Sequence, residues 1–281
     1  MSKLVHSIAP LALSLGLITA LAGAPPAGSE VAAQRSTAQQ PGQAVAGWQR
    51  VFTDGFGSAK ASRGKWSNTA PSPLPLKKCW SFTKVSGQKV VVIKSRKPWE
   101  VAGNVSCRMA TGEVFGAGAT TYKFSARVKF HEKQGTLSSF WVTGPGPNEI
   151  DVIENAGKKS GKAKCVLAGT DNDISKDNES GSRFYGLMHN VYHAYEPTII
   201  GHRACVTKAS AYPRYDGRFH TVTATWRPGT SVVFEVDGRR SAKYPATWSR
   251  TDPVVALLTN KSRKPNDVGF VVDWVKVWKK V

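Results

Sequence analysis

Acidic residues are scarce in this chain. Its 281 residues carry 19 Asp plus Glu against 39 Lys plus Arg, a formal net charge of +20. A surface of one sign is drawn to polyanions such as nucleic acid, sulfated or uronate-bearing polysaccharide and anionic cell-wall polymer. An equally simple reading is a soluble basic exoprotein whose charge serves no ligand. No helix-turn-helix, RNP or zinc-finger pattern is present, so nucleic acid is not an expected partner. Cysteine is also sparse, at four residues: Cys79, Cys107, Cys165 and Cys205. None is spaced as CxxC or CxxxH, which argues against zinc, and no metal ligand set is expected. Strong helix signals are few, and no repeat of fixed period occurs.

Long apolar runs are confined to the start. Ile8 to Ala22 is uncharged, Lys3 precedes it, and Ala22-Gly23-Ala24 and Val31-Ala32-Ala33 are small-residue cleavage patterns. This reads as a signal peptide over residues 1–33, with a membrane anchor as the alternative; a span needs roughly 20 apolar residues. Residues 34–47 are rich in Gln, Ala, Ser and Pro and read as a flexible linker. One domain is expected over 48–281, in a secreted, monomeric protein without membrane association. An even cysteine count in an exported chain suggests disulfides. Three connectivities are possible. Cys79–Cys107 and Cys165–Cys205 are favoured because each closes a modest loop.

What fills residues 48–281 is strand. Lys89 to Ile93 is β-branched, and Thr121 to Phe130 and His220 to Trp226 alternate with period two. Ser231 to Val236 lies between a Pro228-Gly229 turn and an Asp237-Gly238 hairpin signal, and Gly269 to Trp278 makes a closing strand. Short strands separated by turn residues predict an all-β sandwich.

Three of the few acids fall within six positions, in Glu149-Ile150-Asp151-Val152-Ile153-Glu154. A core strand does not carry three carboxylates without cause. Residues two apart share a face, so Glu149 and Asp151 point together, but Glu154 stands at an odd offset. One extra residue near Val152-Ile153, a β-bulge, would return it to their side. Two carboxyl groups on one face suit glycoside cleavage: one attacks the sugar carbon, the other protonates the leaving oxygen and later activates water. A solvated edge strand and a calcium-binding acidic cluster are the competing readings.

The segment Gly135-Thr136-Leu137-Ser138-Ser139-Phe140-Trp141-Val142, followed by Asn148-Glu149-Ile150-Asp151-Val152-Ile153-Glu154, closely resembles the catalytic region of family-16 glycoside hydrolases. Val51 to Phe56 with Lys65-Trp66, Tyr122 to Lys129, Phe219 to Trp226, Phe234 to Gly238 and Val272 to Trp278 match the same family in order. The resemblance implies a jelly-roll β-sandwich of two antiparallel sheets with a concave substrate cleft. It implies Glu149 as nucleophile, Glu154 as acid/base and Asp151 as an assisting carboxylate, in retaining endo-hydrolysis of a β-linked glycan. β-1,3-Glucan is the default substrate, since laminarinase-like members share the bulged motif. A catalytically silent carbohydrate-binding sandwich and a hydrolase of sulfated or anionic galactans or cell-wall polymer are the alternatives.

No cofactor is expected. The Glu that ligates a structural calcium in many members is Gly55 here, which weighs against that ion, although Asp273 remains. Leu137-Ser138-Ser139 stands where many laminarinase-like members have Trp-Pro-Ala, so a stacking tryptophan is absent there. Substrate-binding candidates are Trp141, through its ring, and His189 and His193, which alternation places on one face with Val191; family analogy favours His193. Asn148, Arg127, Asn260 and the loop aromatic Trp99 complete the set.

Overall fold

The structure, a computed structural model, describes residues 47–67, 79–94, 107–112, 114–115, 120–133, 136–144, 148–155, 157, 187–195, 198–205, 217–246, 254–262 and 269–281. Its elements, in chain order, are β1 (Trp48–Asp54), α1 (Ala59–Lys65), β2 (Trp66–Ser67), β3 (Trp80–Val85), β4 (Gln88–Ile93) and β5 (Cys107–Thr111). There follow β6 (Tyr122–Lys129), β7 (Thr136–Thr143), β8 (Glu149–Asn155), β9 (Leu187–Tyr195) and β10 (Thr198–Cys205). The last are β11 (Phe219–Arg227), β12 (Thr230–Val236), β13 (Arg239–Ala246), β14 (Val255–Ser262) and β15 (Phe270–Lys280).

Two antiparallel sheets form a jelly-roll sandwich, as the period-two patterning predicts. One runs β13-β12-β11-β6-β15-β4-β3, with β1 also paired to β15; the other runs β10-β9-β8-β7-β14-β5-β2. The Asp237-Gly238 turn joins β12 to β13 with φ of 50° and 73°, the left-handed geometry of a type I′ hairpin. Inner faces interlock through Phe124, Phe234, Trp226 and Phe270 of the first sheet and Phe140, Ile150, Ile153 and Leu258 of the second, all with no solvent exposure. Each such side chain contributes on the order of 1.5–3 kcal/mol of burial, so alternation along these strands is strongly enforced.

Polar and covalent links join the sheets as well. Cys79, just ahead of β3, is bonded to Cys107 on β5, with Cα atoms 5.2 Å apart. This is the first of the expected pairs. Cys165 and the side chain of Cys205 lie outside the described residues, as does Trp99. At the start of the domain, Asp54 accepts from the Phe56 amide, the Ser62 hydroxyl and the Trp66 indole at 2.8–3.0 Å. Asp273 is ion-paired with Arg127, which also donates to Gln88 and stacks on Phe219. A calcium ion needs about 6–8 oxygen ligands. Both acids are committed to donors of the protein itself, and no set of three potential ligands converges among the described residues. Arg127, a sequence candidate for sugar contact, is on the sheet that does not carry the acids, and that assignment is corrected.

Candidate active site

Strand β8 is an interior strand of the seven-stranded sheet, between β7 and β9. Its pairing with β7 runs Glu149 to Thr143, Ile150 to Val142 and Asp151 to Trp141, then skips, resuming with Ile153 to Phe140 and Glu154 to Ser139. Val152 is thus the extra residue of a β-bulge. The consequence is geometric. Glu149, Asp151 and Glu154 are cross-strand partners of Thr143, Trp141 and Ser139, which alternate along β7 and so lie on one side of the sheet. Ile150, Ile153 and their partners Val142 and Phe140 form the buried side. Glu149 and Glu154 are half-buried, while Asp151 between them is only 3 % exposed.

The same side extends onto β14 and β5. Ser139 pairs with Thr259, which pairs with Arg108, so Glu154, Ser139, Thr259 and Arg108 form one row across four strands. In the neighbouring row Asp151 pairs with Trp141 and Trp141 with Leu257. The Trp141 indole donates to the Thr259 hydroxyl at 2.8 Å, and the Arg108 guanidinium lies 5.2 Å from its ring centroid. Burial lowers the Arg108 pKa, and the charge of Glu149 partly restores it. Its Nε is buried without a hydrogen-bond partner among the described residues. Arg108 is a site residue that sequence reasoning missed. A single arginine in a chain this basic carries no signal of its own. On the other flank, Tyr192, Asn190 and Met188 of β9 are the backbone partners of Glu149, Asp151 and Glu154. These positions too went unnoticed; their side chains lie outside the described residues.

Asn148 immediately precedes β8, and its carbonyl accepts from the Gly144 amide and the Thr143 hydroxyl, closing the β7–β8 turn. Two sequence candidates are not at this surface. Asn260 follows Thr259 and so takes the opposite phase, with no exposure. Its amide donates to the Ile93 carbonyl of the other sheet at 2.9 Å, and its Oδ1 accepts from the Ser138 hydroxyl at 3.0 Å. Asn260 is a bridge between sheets, and the substrate-binding assignment is corrected. An Asn260→Ala variant should lose about 1–3 kcal/mol of stability by leaving these buried partners unmatched, with KM for glycan unchanged. Denaturant melts beside steady-state kinetics check this; raised KM with unaltered melting would restore the sugar contact.

His189 is likewise turned inward, fully buried, and stacked on Phe234 with centroids 4.5 Å apart. The contact with sugar proposed from sequence is therefore corrected. His193 is in strand phase with His189 and buried Val191, and pairs with Ile200 of β10; its side chain lies outside the described residues.

Burial pushes His189 down to about 4, opposed by its bond to the Val152 carbonyl, and pushes His131 down to about 4, opposed by the Lys133 backbone. Both are neutral in the folded protein well below their ordinary value of 6.5. Between those limits the unfolded chain binds protons that the folded one refuses. Stability therefore falls as pH drops through this window, and each ring stops contributing further loss below about 4. Denaturant melts at pH 7 and about 5.5, above the carboxylate range, should show lower stability at the acid end. A flat response would contradict the buried neutral rings.

The molecule is thus a two-sheeted antiparallel jelly roll with the three acids of β8 and the Trp141 indole of β7 on one side of one sheet. The model of the glycosyl hydrolases family 16 matches residues 79–257, more than half of the chain. The chain belongs to glycoside hydrolase family 16, and is a glycoside hydrolase acting on O-glycosyl bonds. Solved structures agree on the fold. The endo-β-1,3-glucanase from Pyrococcus furiosus is 16% identical with a TM-score of 0.52, over 83% of this chain and 95% of that one. β-Agarase A from Zobellia galactanivorans is 14% identical with a TM-score of 0.54, over 86% and 95%. A family-16 endo-glucanase from Bacteroides ovatus is 15% identical with a TM-score of 0.52, over 80% and 99%. No curated protein sequence matches significantly.

Proposed function

We propose that this chain is an exported, monomeric endo-acting enzyme that cleaves a β-linked polysaccharide with retention of configuration, using Glu149 and Glu154. The observation that carries the reading is the bulge at Val152, which returns Glu154 to the side of Glu149. Glu149 attacks the anomeric carbon as Glu154 donates its proton to the departing glycosidic oxygen, leaving a glycosyl ester on Glu149. Glu154, now ionised, takes a proton from water, and that water displaces Glu149 and restores both groups. Asp151, nearly buried between them, adds negative field that raises the cost of ionising Glu154 and so favours its proton-carrying form. Trp141 and Asn148 are the proposed sugar contacts on this side; His193, at a position in phase with buried Val191 and not with the acids, is not retained as one. No cofactor takes part. Residues 1–33 are the proposed signal peptide, 34–47 a linker and 48–281 the catalytic domain.

β-1,3-Glucan is the first substrate class to test, because the bulged motif resembles that of laminarinase-like enzymes. A second reading, an anionic galactan, is favoured by Arg108. Its guanidinium faces the same side as the acids, and its Nε has no hydrogen-bond partner among the described residues. Product analysis on laminarin, mixed-linkage glucan, agarose and a sulfated galactan separates the two. Release of oligosaccharides from the neutral glucans supports the first, and release only from the sulfated chain supports the second. Binding without release from any β-glycan would overturn the enzymatic reading.

A further inference from the structure

We propose that His189 is a positioning residue that holds the β8 bulge, and through it Glu154, by donating from Nδ1 to the carbonyl of Val152. The inference rests on the reading of Glu154 as the acid/base. On the β9 side the register jumps from Asp151 opposite Asn190 to Glu154 opposite Met188. Two residues of β8, Val152 and Ile153, therefore face a single residue of β9, which is His189. A bulge takes its extra residue out of the ladder, and a buried carbonyl left without a donor is costly. His189 Nδ1 lies 2.6 Å from the Val152 oxygen and meets that demand from the core side.

The ring is itself fixed from the opposite sheet. Its Nε2 lies 2.7 Å from the Ser241 hydroxyl on β13, and its face packs on Phe234 of β12 at an interplanar angle of 17°. A carbonyl can only accept, so Nδ1 carries the proton. Nε2 of the neutral ring must then accept from Ser241. Burial keeps the ring neutral down to about pH 4, so this arrangement persists across the range in which a glycosidase acid/base works. The brace thus runs Ser241–His189–Val152, from one sheet through the core to the residue two places before Glu154. Its donor acts on the bulge, and it never touches sugar.

The test compares His189→Phe, which keeps an aromatic ring on Phe234 but has no donor, with His189→Asn, whose amide N–H occupies the place of Nδ1. Each is assayed on the polysaccharide that the glycan panel selects and on the dinitrophenyl β-glycoside of the same sugar, beside Glu154→Gln. Misplacing this acid by a fraction of an ångström slows the proton donation of the first step, which kcat/KM reports, as well as the later activation of water. His189→Phe should lose about 10- to 100-fold in kcat/KM on the polysaccharide. It should change little on the activated glycoside, and His189→Asn should recover most of the loss. Equal losses on both substrates, or none, while Glu154→Gln retains the split, would overturn the brace alone. Absence of the split in Glu154→Gln would overturn the acid/base reading instead. Should His189→Phe not fold, imidazole 15N spectra of the wild-type protein decide. A neutral ring protonated on Nδ1 is expected, and a proton on Nε2 overturns the proposal.

Discussion

Glu149→Gln should stay folded, melting slightly below the wild type, and lose turnover by on the order of 10⁴-fold or more, the scale seen when a covalent nucleophile is removed. The amide matches the carboxylate in shape, and Glu149 is half-buried at the strand's start, so packing is undisturbed. What disappears is the lone pair that attacks the anomeric carbon and the negative charge that faces the developing oxocarbenium ion. Arg108, whose charge interacts with Glu149, would lose that compensation. Because Arg108 is already partly desolvated, a small loss of stability at this spot is the expected side effect. Turnover assays and thermal melts on the same preparation give the answer. Full activity in this variant would remove Glu149 from the mechanism.

Glu154→Gln should separate substrates by leaving group. On polysaccharide, whose departing alkoxide needs a proton, kcat/KM should fall by about 10²–10⁴-fold. On a dinitrophenyl glycoside, whose phenolate leaves unaided, glycosylation should continue nearly unimpaired. Turnover is then limited by the second step, where the base that activates water is missing. Added azide, a nucleophile that needs no deprotonation, should accelerate that step and yield a glycosyl azide of the substrate's original configuration. Equal losses on both substrates with no azide effect would assign Glu154 a structural part only.

Much of this site was legible in the sequence for a simple reason. Strand side chains alternate, so the odd offset between Glu149 and Glu154 is an anomaly that demands a bulge if both acids serve one purpose. The register places that bulge at Val152, within the pair of residues the offset singles out. The strand patterns over β4, β6, β11, β12 and β15 were equally plain, because apolar alternation and the Asp237-Gly238 turn are local properties. Faces were harder. Alternation groups His189, Val191 and His193 but does not say which side the group takes. That choice is made by pairing with β8, where His189 meets the bulge from within. Val191, apolar between two histidines, was the available hint that this phase belongs to the core. Asn260 misled for a related reason. An Asn near the end of a strand reads as a sugar contact, whereas its partners, Ser138 and Ile93, are 122 and 167 residues away in the chain. Bonds of that range have no local signature. Arg108 joins the site only through three successive strand pairings, and nothing near Cys107 announces it.

The account depends on two acids close enough for one to attack while the other donates, which for retaining enzymes means carboxyl groups about 5–5.5 Å apart. The most direct measurement is proton NMR of the first sugar released, recorded before mutarotation blurs the anomers. A β-linked chain should give the β-anomer. Initial release of the α-anomer would mean a single displacement by water across a wider gap, and would contradict the assignment of Glu149 as nucleophile.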